Sequence, residues 1–283
     1  MYADLHIHST ASDGKLAADQ LVALALKKRL SVISLTDHDT TAGIDQAQEA
    51  ARGTGLEVIP GIEINTDWED TGVHLLGYYI EYNSQSLQNT LQEIRQAREQ
   101  RAKTMIAKLA GLGVELSYEQ VKGIAGEATI CRPHLAQAMI ESGYVTSIKY
   151  AFERYLSRGK PGYVPRKKLD PLSALEIIKR AKGIPVLAHP GLAERDDLIP
   201  ILINNGLLGI EVYYPLHTPD MVAKYSDYCH RHHLVKTGGT DFHGPGAEYP
   251  SLGEVGVDKK SVDNLKLMRN FWANVTYRKD SRP

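Results

Sequence analysis

Cysteine is scarce in these 283 residues: there are two, Cys131 and Cys229, in no CxxC spacing. A disulfide framework and a thiolate zinc site are excluded on that count, and a reducing cytoplasm fits. Net charge is nearly absent as well, at -1. That excludes a generally basic, nucleic-acid-coating surface, while leaving room for a local basic patch beside an active site. Long apolar runs are missing too: nowhere do about 18 apolar residues follow one another, so no membrane association is expected. The N-terminus has neither a basic n-region nor an apolar h-region and reads as soluble and unprocessed. No internal repeat, low-complexity tract or obligate protein partner is evident.

What is present, 42% hydrophobic and 24% charged residues, suffices for one large α/β domain or two modest ones. Short apolar runs at 3–8, 31–35, 56–64, 73–80, 184–188, 208–213 and 234–238 read as strands, and 15–30 and 221–232 as covering helices. Their alternation is the pattern of βα units around a parallel sheet or barrel. Between about Gln85 and Arg166 the strand signals stop. There 86–112 has the length and spacing of a long helix, with shorter helical stretches around Ser117, His134 and Ile148. This segment, 85–166, reads as a helical insertion into a barrel built from 1–84 and 167–283. It ends in Gly159-Lys-Pro-Gly-Tyr-Val-Pro165, a loop by its glycines and prolines.

Six of the eleven histidines, His6, His8, His38, His74, His189 and His243, fall at or just after expected strand C-termini. Asp13, Asp37, Asp39, Glu63 and Asp241 fall in the same places. In a barrel of parallel strands that face assembles active sites from residues far apart in sequence. His6 and His8 are two apart on a strand, so both imidazoles point to one side and can grip one ion. Thr36-Asp-His-Asp-Thr40 concentrates three ionisable groups at one strand end, where a buried unpaired charge is expensive and metal ligation is the simplest relief. One of Asp37 and Asp39 is expected merely to cap the helix after Thr40. Glu63 interrupts the apolar strand Pro60-Gly-Ile-Glu-Ile64, as a carboxylate bridging two cations would. Nitrogen and oxygen donors without thiolate suit Zn²⁺, Mn²⁺ or Fe²⁺. Ions held close together acidify a bridging water and neutralise phosphoryl charge, which points to hydrolysis of a phosphate ester. The tract His230-Arg-His-His233, at a helix end, is assigned to solvent.

Asp4-Leu-His-Ile-His-Ser9, Thr36-Asp-His-Asp39, Pro60-Gly-Ile-Glu63, Ala188-His-Pro190 and Thr240-Asp-Phe-His243 resemble, in order, the motifs of the polymerase and histidinol phosphatase (PHP) family. The resemblance implies a distorted (β/α)7 barrel of the α/β class and two to three divalent metal ions. Their ligands map onto His6, His8, Asp13, His38, Glu63, His74, His189, Asp241 and His243. Arg132-Pro-His134 and the Gly159–Val164 loop resemble the branch of nucleotide phosphatases and 5′-to-3′ exoribonucleases. That branch acts on 3′,5′-bisphosphonucleotides or short 5′-phosphorylated RNA, so the implied partner is a nucleotide or short oligonucleotide. Arg132, whose guanidinium fork matches phosphate, His134 and Lys160 are then the expected substrate-binding residues, with Arg166, Lys167 and Lys168 extending the patch. The expected mechanism is in-line attack on phosphorus by a metal-bridging hydroxide, with Glu63 bridging two ions and His189 or His243 protonating the leaving alkoxide. A histidinol-phosphate phosphatase, a metal amidohydrolase and a non-catalytic PHP module are the alternative readings.

Overall fold

The computed structural model describes residues 2–69, 71–126, 130–165, 169–246 and 250–280. Seven strands, β1 (Ala3–Ile7), β2 (Val32–Leu35), β3 (Glu57–Trp68), β4 (Thr71–Tyr78), β5 (Ile184–Leu187), β6 (Gly209–Tyr213) and β7 (Val235–Gly238), lie side by side in sequence order. The segment after β7 closes the sheet onto β1, where Ile7 bridges Phe242 and the His8 amide donates to the Phe242 carbonyl at 2.9 Å. The result is a distorted (β/α)7 barrel.

Most neighbouring strands are parallel, as the alternation of strands and helices leads one to expect. β4 departs from that reading, pairing antiparallel with both β3 and β5. The reason is the connection: β3 ends at Trp68 and β4 begins at Thr71, and so short a turn can return the chain only antiparallel, because a parallel partner needs a crossover of a dozen residues or more.

The helices are α1 (Ala18–Lys27), α2 (Ile44–Ala51), α3 (Gln85–Ala110), α4 (Tyr118–Ala125), α5 (Arg132–Glu141), α6 (Ile148–Ala151), α7 (Pro171–Arg180), α8 (Pro190–Ala193), α9 (Leu198–Asn204), α10 (Pro219–Arg231) and α11 (Lys259–Asp280). α6 runs on into a π-helical turn over Phe152–Leu156. Local chemistry sets several starts. Asp170 accepts from the Ser173 amide at 2.9 Å ahead of Pro171, and Thr218 accepts from the Met221 amide ahead of Pro219 at 3.3 Å. Both pair a side-chain cap with proline at the first helical position, where its missing N–H costs nothing.

The chain divides into two compact units, Met1–Gln88 with Leu169–Pro283, and Asn89–Lys168. In the first, Leu5, Ile59, Leu76, Tyr78, Val186 and Val235 belong to one core cluster, and the Tyr78 hydroxyl donates to the Leu5 carbonyl at 3.0 Å. Leu76 is wholly buried, and truncating such a residue to alanine costs about 2–5 kcal/mol. In the second, Leu109, Val121, Leu135, Met139 and Leu156 pack around a core of their own. Among the described residues no helix is long and apolar enough to cross a membrane.

Candidate metal centre

The strand ends carry a cage of imidazoles and carboxylates. His6, on β1, is wholly buried, with Nδ1 lying 3.0 and 3.2 Å from the two carboxylate oxygens of Glu211 on β6. A carboxylate only accepts, so Nδ1 carries the proton and Nε2 presents its lone pair to the cage. His8 Nε2 points the same way. Gly239 lets the segment after β7 pass over this strand: a Cβ there would meet His6 N at 2.4 Å and His6 Cβ at 2.5 Å. Asp241 follows. Tyr214 donates to its Oδ2 at 3.1 Å, while Oδ1 faces His6 Nε2 at 3.3 Å and His8 Nε2 at 3.0 Å.

Glu63 lies at the centre. Its Oε1 takes hydrogen bonds at 2.9 Å from His74 and 3.1 Å from His189. Its Oε2 sits 3.3, 3.2 and 2.8 Å from His6 Nε2, His8 Nε2 and His38 Nδ1. His74 lies near the start of β4, as the run 73–80 implies, and not at a strand C-terminus like the other cage histidines. The antiparallel course of that strand is what brings it to Glu63, with His74 in register with Asn65 on β3. On the far side Asp13 approaches His243 Nε2 at 3.3 Å and His8 Nδ1 and His38 Nε2 at 3.8 Å.

Three groups of donor atoms converge within 4.8 Å: His8, Asp13, His38 and His243; His6, His8, Glu63 and Asp241; and His38, Glu63 and His74. They share His8, His38 and Glu63. Buried atoms in these groups, His6 Nε2, His8 Nε2, His38 Nδ1, Asp13 Oδ1, Glu63 Oε2 and Asp241 Oδ1, take no well-formed hydrogen bond although opposite charge is close by. Buried polar atoms are ordinarily satisfied. Lone pairs that converge on shared points rather than on one another are what cations require, and all are nitrogen or oxygen, so the donor set fits hard to borderline divalent metals.

Electrostatics agree. Burial works against the charged form of His6, yet Glu211, Asp241 and Glu63 outweigh it and hold the imidazole well above its ordinary range. Burial likewise opposes His8, which Asp241 and Glu63 nevertheless raise to about 10. Burial opposes the anion of Glu63, but His38, His6 and His74 keep it well below the usual carboxylate range. The ionised carboxylates thus draw protons onto the imidazoles when no cation is present, and divalent ions bound there would supply that positive charge in place of the Nε2 protons.

Backbone strain accompanies the cage. Asp39 (φ 53°), His189 (φ 24°) and Asp241 (φ 54°) sit in left-handed conformations that cost of order 1–3 kcal/mol each for residues other than glycine. Glu211 helps hold one of them, since its Oε2 accepts the His189 amide at 2.8 Å while the same carboxylate orients His6. His217 holds the next: its Nδ1–H donates to the Val212 carbonyl at 2.9 Å, and its Nε2 accepts the Gly191 amide at 3.2 Å. Glu211, His217 and Tyr214 are absent from the sequence reading. Glu211 had a signal, for it interrupts Gly209-Ile-Glu-Val-Tyr213 as Glu63 interrupts its own strand.

Neither Asp37 nor Asp39 caps a helix with its side chain, contrary to expectation, since α2 starts at Gly43 without a side-chain cap. Asp37 instead accepts from Ser9 N, Ser9 Oγ and Ser12 Oγ at 2.7, 2.7 and 2.6 Å, pinning the loop that carries Asp13. Asp39 accepts from Asn65 N and Nδ2, both at 3.1 Å. Residues 230–233 are exposed, as assigned. In the helical unit Arg132 opens α5 and lies over Phe152 and Tyr163, His134 Nδ1 accepts the Cys131 amide at 3.0 Å, and Lys160 is exposed. Arg166, Lys167 and Lys168 lie outside the described residues.

Comparison with known proteins decides the family. A profile described as the PHP domain matches residues 4–157. The chain belongs to the PHP family. A 3′,5′-nucleoside bisphosphate phosphatase of Chromobacterium violaceum is 34% identical over 285 residues, 97% of this chain and 96% of that one. A 5′-3′ exoribonuclease of Haemophilus influenzae is 41% identical over 188 residues, 66% of this chain and 68% of that one. Among solved structures, a Bifidobacterium adolescentis protein assigned to the metal-dependent phosphoesterases superposes with a TM-score of 0.85 at 31% identity, covering 95% of this chain and 96% of that one. This PHP protein is a metal-dependent phosphoesterase.

Proposed function

We propose that this phosphoesterase acts on nucleotides, removing the 3′-phosphate of 3′,5′-bisphosphonucleotides or trimming short 5′-phosphorylated RNA from its end. Two to three Mn²⁺, Zn²⁺ or Fe²⁺ ions would be held by His6, His8, Asp13, His38, Glu63, His74, His189, Asp241 and His243. The observation that carries the reading is the divided Glu63 carboxylate, with one oxygen hydrogen-bonded to His74 and His189 and the other unsatisfied among His6, His8 and His38. A carboxylate so placed suits a bridge between two cations. Divalent ions there supply an acidified water and neutralise charge on the phosphoryl group. The chain's own work is orientation. Glu211 keeps the His6 proton on Nδ1, and Asp241 O accepts from His243 Nδ1 at 2.7 Å, which leaves His243 Nε2 to take a metal or hold the proton for the leaving alkoxide. His189 Nε2 is the other candidate for that proton. Neither cysteine is in a disulfide, and a cytoplasmic setting belongs to the same reading.

Nucleotide preference rests on the relatives and on Arg132, assigned with His134 and Lys160 to a phosphate that does not react. A cage full of anionic ligands and cations serves the phosphate under attack, so a second phosphate needs a separate cationic donor. Arg132→Ala should therefore weaken kcat/KM for a bisphosphonucleotide by about 1.5–3 kcal/mol while leaving an aryl phosphate nearly untouched. Equal losses on the two substrates remove Arg132 from the specificity role. A wild-type preference for histidinol phosphate over every nucleotide overturns the substrate assignment.

A further inference from the structure

The helical unit carries charge that the cage does not use. Residues 89–168 hold 14 Lys and Arg against seven Glu and no Asp, a formal +7, which leaves -8 of the chain's -1 to the other unit. A concentration of one sign on a small unit recruits polyanions.

Several of these cations stand on aromatic rings. Arg154 lies 5.8 Å from the centroid of Tyr150 and 5.5 Å from that of Tyr155, and donates to the Tyr150 hydroxyl at 2.6 Å. Arg132 lies 5.4 Å from the centroid of Phe152 and 5.9 Å from that of Tyr163, and Arg101 lies 5.6 Å from that of Tyr163. The two clusters meet in one stretch of chain, α6 and the π turn Phe152–Leu156, which presents Phe152 to Arg132 and Tyr155 to Arg154. π turns recur at functional positions. Tyr150 is 40% exposed and Tyr144, before α6, 38%, while Phe152 and Tyr155 are half-buried and pack against the unit's core. The exposed Tyr150 ring beside the Arg154 guanidinium, with the half-buried Tyr155 on that same group, offers a stacking face and a phosphate contact at once. Single-stranded nucleic acid uses both, an acidic peptide only the second, and a duplex keeps its bases stacked on one another.

We propose that Tyr150, Arg154 and Tyr155 form a binding platform of the helical unit for single-stranded polynucleotide, continuous with Arg132. This rests on the nucleotide reading of the active site and names the residues of the helical unit that would hold a chain.

The test is fluorescence anisotropy of the full-length protein with a labelled, phosphorothioate-linked single strand of about twelve nucleotides, within the span such sites cover, at several salt concentrations. The single strand is expected to bind more tightly than its duplex. Tyr150→Ala should weaken it about tenfold and Tyr150→Phe should restore most of that loss, as stacking requires. Arg154→Gln should weaken it severalfold and lower the slope of log K against log salt by about 0.7, one phosphate contact. Turnover of an aryl phosphate should not change in any of the three. Unaltered binding in Tyr150→Ala and Arg154→Gln, a duplex bound as tightly as the single strand, or competition by poly-glutamate as effective as by unlabelled strand would each overturn the platform. The outcomes separate from those of the active-site reading: loss of the platform leaves bisphosphonucleotide turnover standing, and platform binding by a protein that hydrolyses no nucleotide ester leaves the platform standing alone.

Discussion

The two units put ionisable residues to opposite uses. In the acidic unit the charges turn inward. His6, His8 and Glu63 are wholly buried, carboxylates and imidazoles crowd within 4.8 Å, and Asp39, His189 and Asp241 are held in left-handed backbone to do it. In the basic unit Arg154, Lys149 and Lys160 are exposed, and its buried core is aliphatic, with Leu109, Leu135 and Leu156 wholly or almost wholly enclosed. Chemistry needs desolvated, strained and exactingly oriented groups, and recruitment of a polyanion needs exposed ones. A net charge of -1 for the whole chain therefore describes neither unit.

If that division is right, the largest effect comes from emptying the acidic unit of metal. Exhaustive chelation should take turnover to background, Mn²⁺ or Zn²⁺ should restore it, and oligonucleotide binding should survive, since the platform residues include no ligand. Turnover by rigorously metal-free protein would break the comparison at its root. Next come single ligands: His6→Ala, Glu63→Ala and Asp241→Ala should each abolish turnover with a near-native circular dichroism spectrum, because the core is built by the aliphatic residues between them. A variant that keeps wild-type rate and metal content leaves the ligand set.

Glu211→Gln should fall below these. The amide keeps the shape but can offer only one accepting atom where the carboxylate serves both His6 Nδ1 and the His189 amide. Outer partners of metal ligands are worth about 10–100-fold in metal affinity or activity, and competition with a chromophoric chelator reads the first directly. A variant with unchanged affinity and rate would show that the strand alone orients His6.

How much of this could be read in advance follows from what side-chain patterns record. All seven strands were legible, because each contains a short run rich in aliphatic residues, such as Val32-Ile-Ser-Leu35 or Ile184-Pro-Val-Leu187, buried along its length. Strand direction was not. β4 has the same composition whether it runs up or down, and only the length of the link from Trp68 to Thr71 carries the answer. The cage residues stood out because histidine and carboxylate in apolar strands are costly without a reason. Glu211 obeyed the same rule and was overlooked, since no histidine flanks it in sequence and its partners, His6 and His189, come from other strands. α11 leaves a weak mark in the sequence because, among its described side chains, only Val262 and Leu265 are wholly enclosed, too few to mark a helical period. The charge division was also within reach, since the helical segment read at 85–166 nearly coincides with the unit 89–168.

The smallest expected effect sharpens the contrast most. Arg195 follows His189 in the acidic unit, where an arginine near the cage invites a phosphate-binding role. Its guanidinium is already committed: Nε and Nη2 donate to the two carboxylate oxygens of Asp197 at 2.8 and 2.7 Å, and Nη2 also donates to Glu69 at 3.0 Å. Those partners, Asp197 first, raise its pKa further, so it stays charged throughout, and a phosphate would have to displace two carboxylates to reach it. Surface pairs of this kind contribute little to stability. Arg195→Ala should therefore leave kcat and KM for both bisphosphonucleotide and aryl phosphate unchanged, and lower Tm by no more than about 3 °C. Arg132→Ala and Arg154→Gln, whose guanidinium groups lie over aromatic rings, should each show a substrate effect that Arg195→Ala lacks. A fall in bisphosphonucleotide turnover in Arg195→Ala comparable to that in Arg132→Ala would mean that the acidic unit supplies its own phosphate donor, and the division of labour between the two units would have to be redrawn.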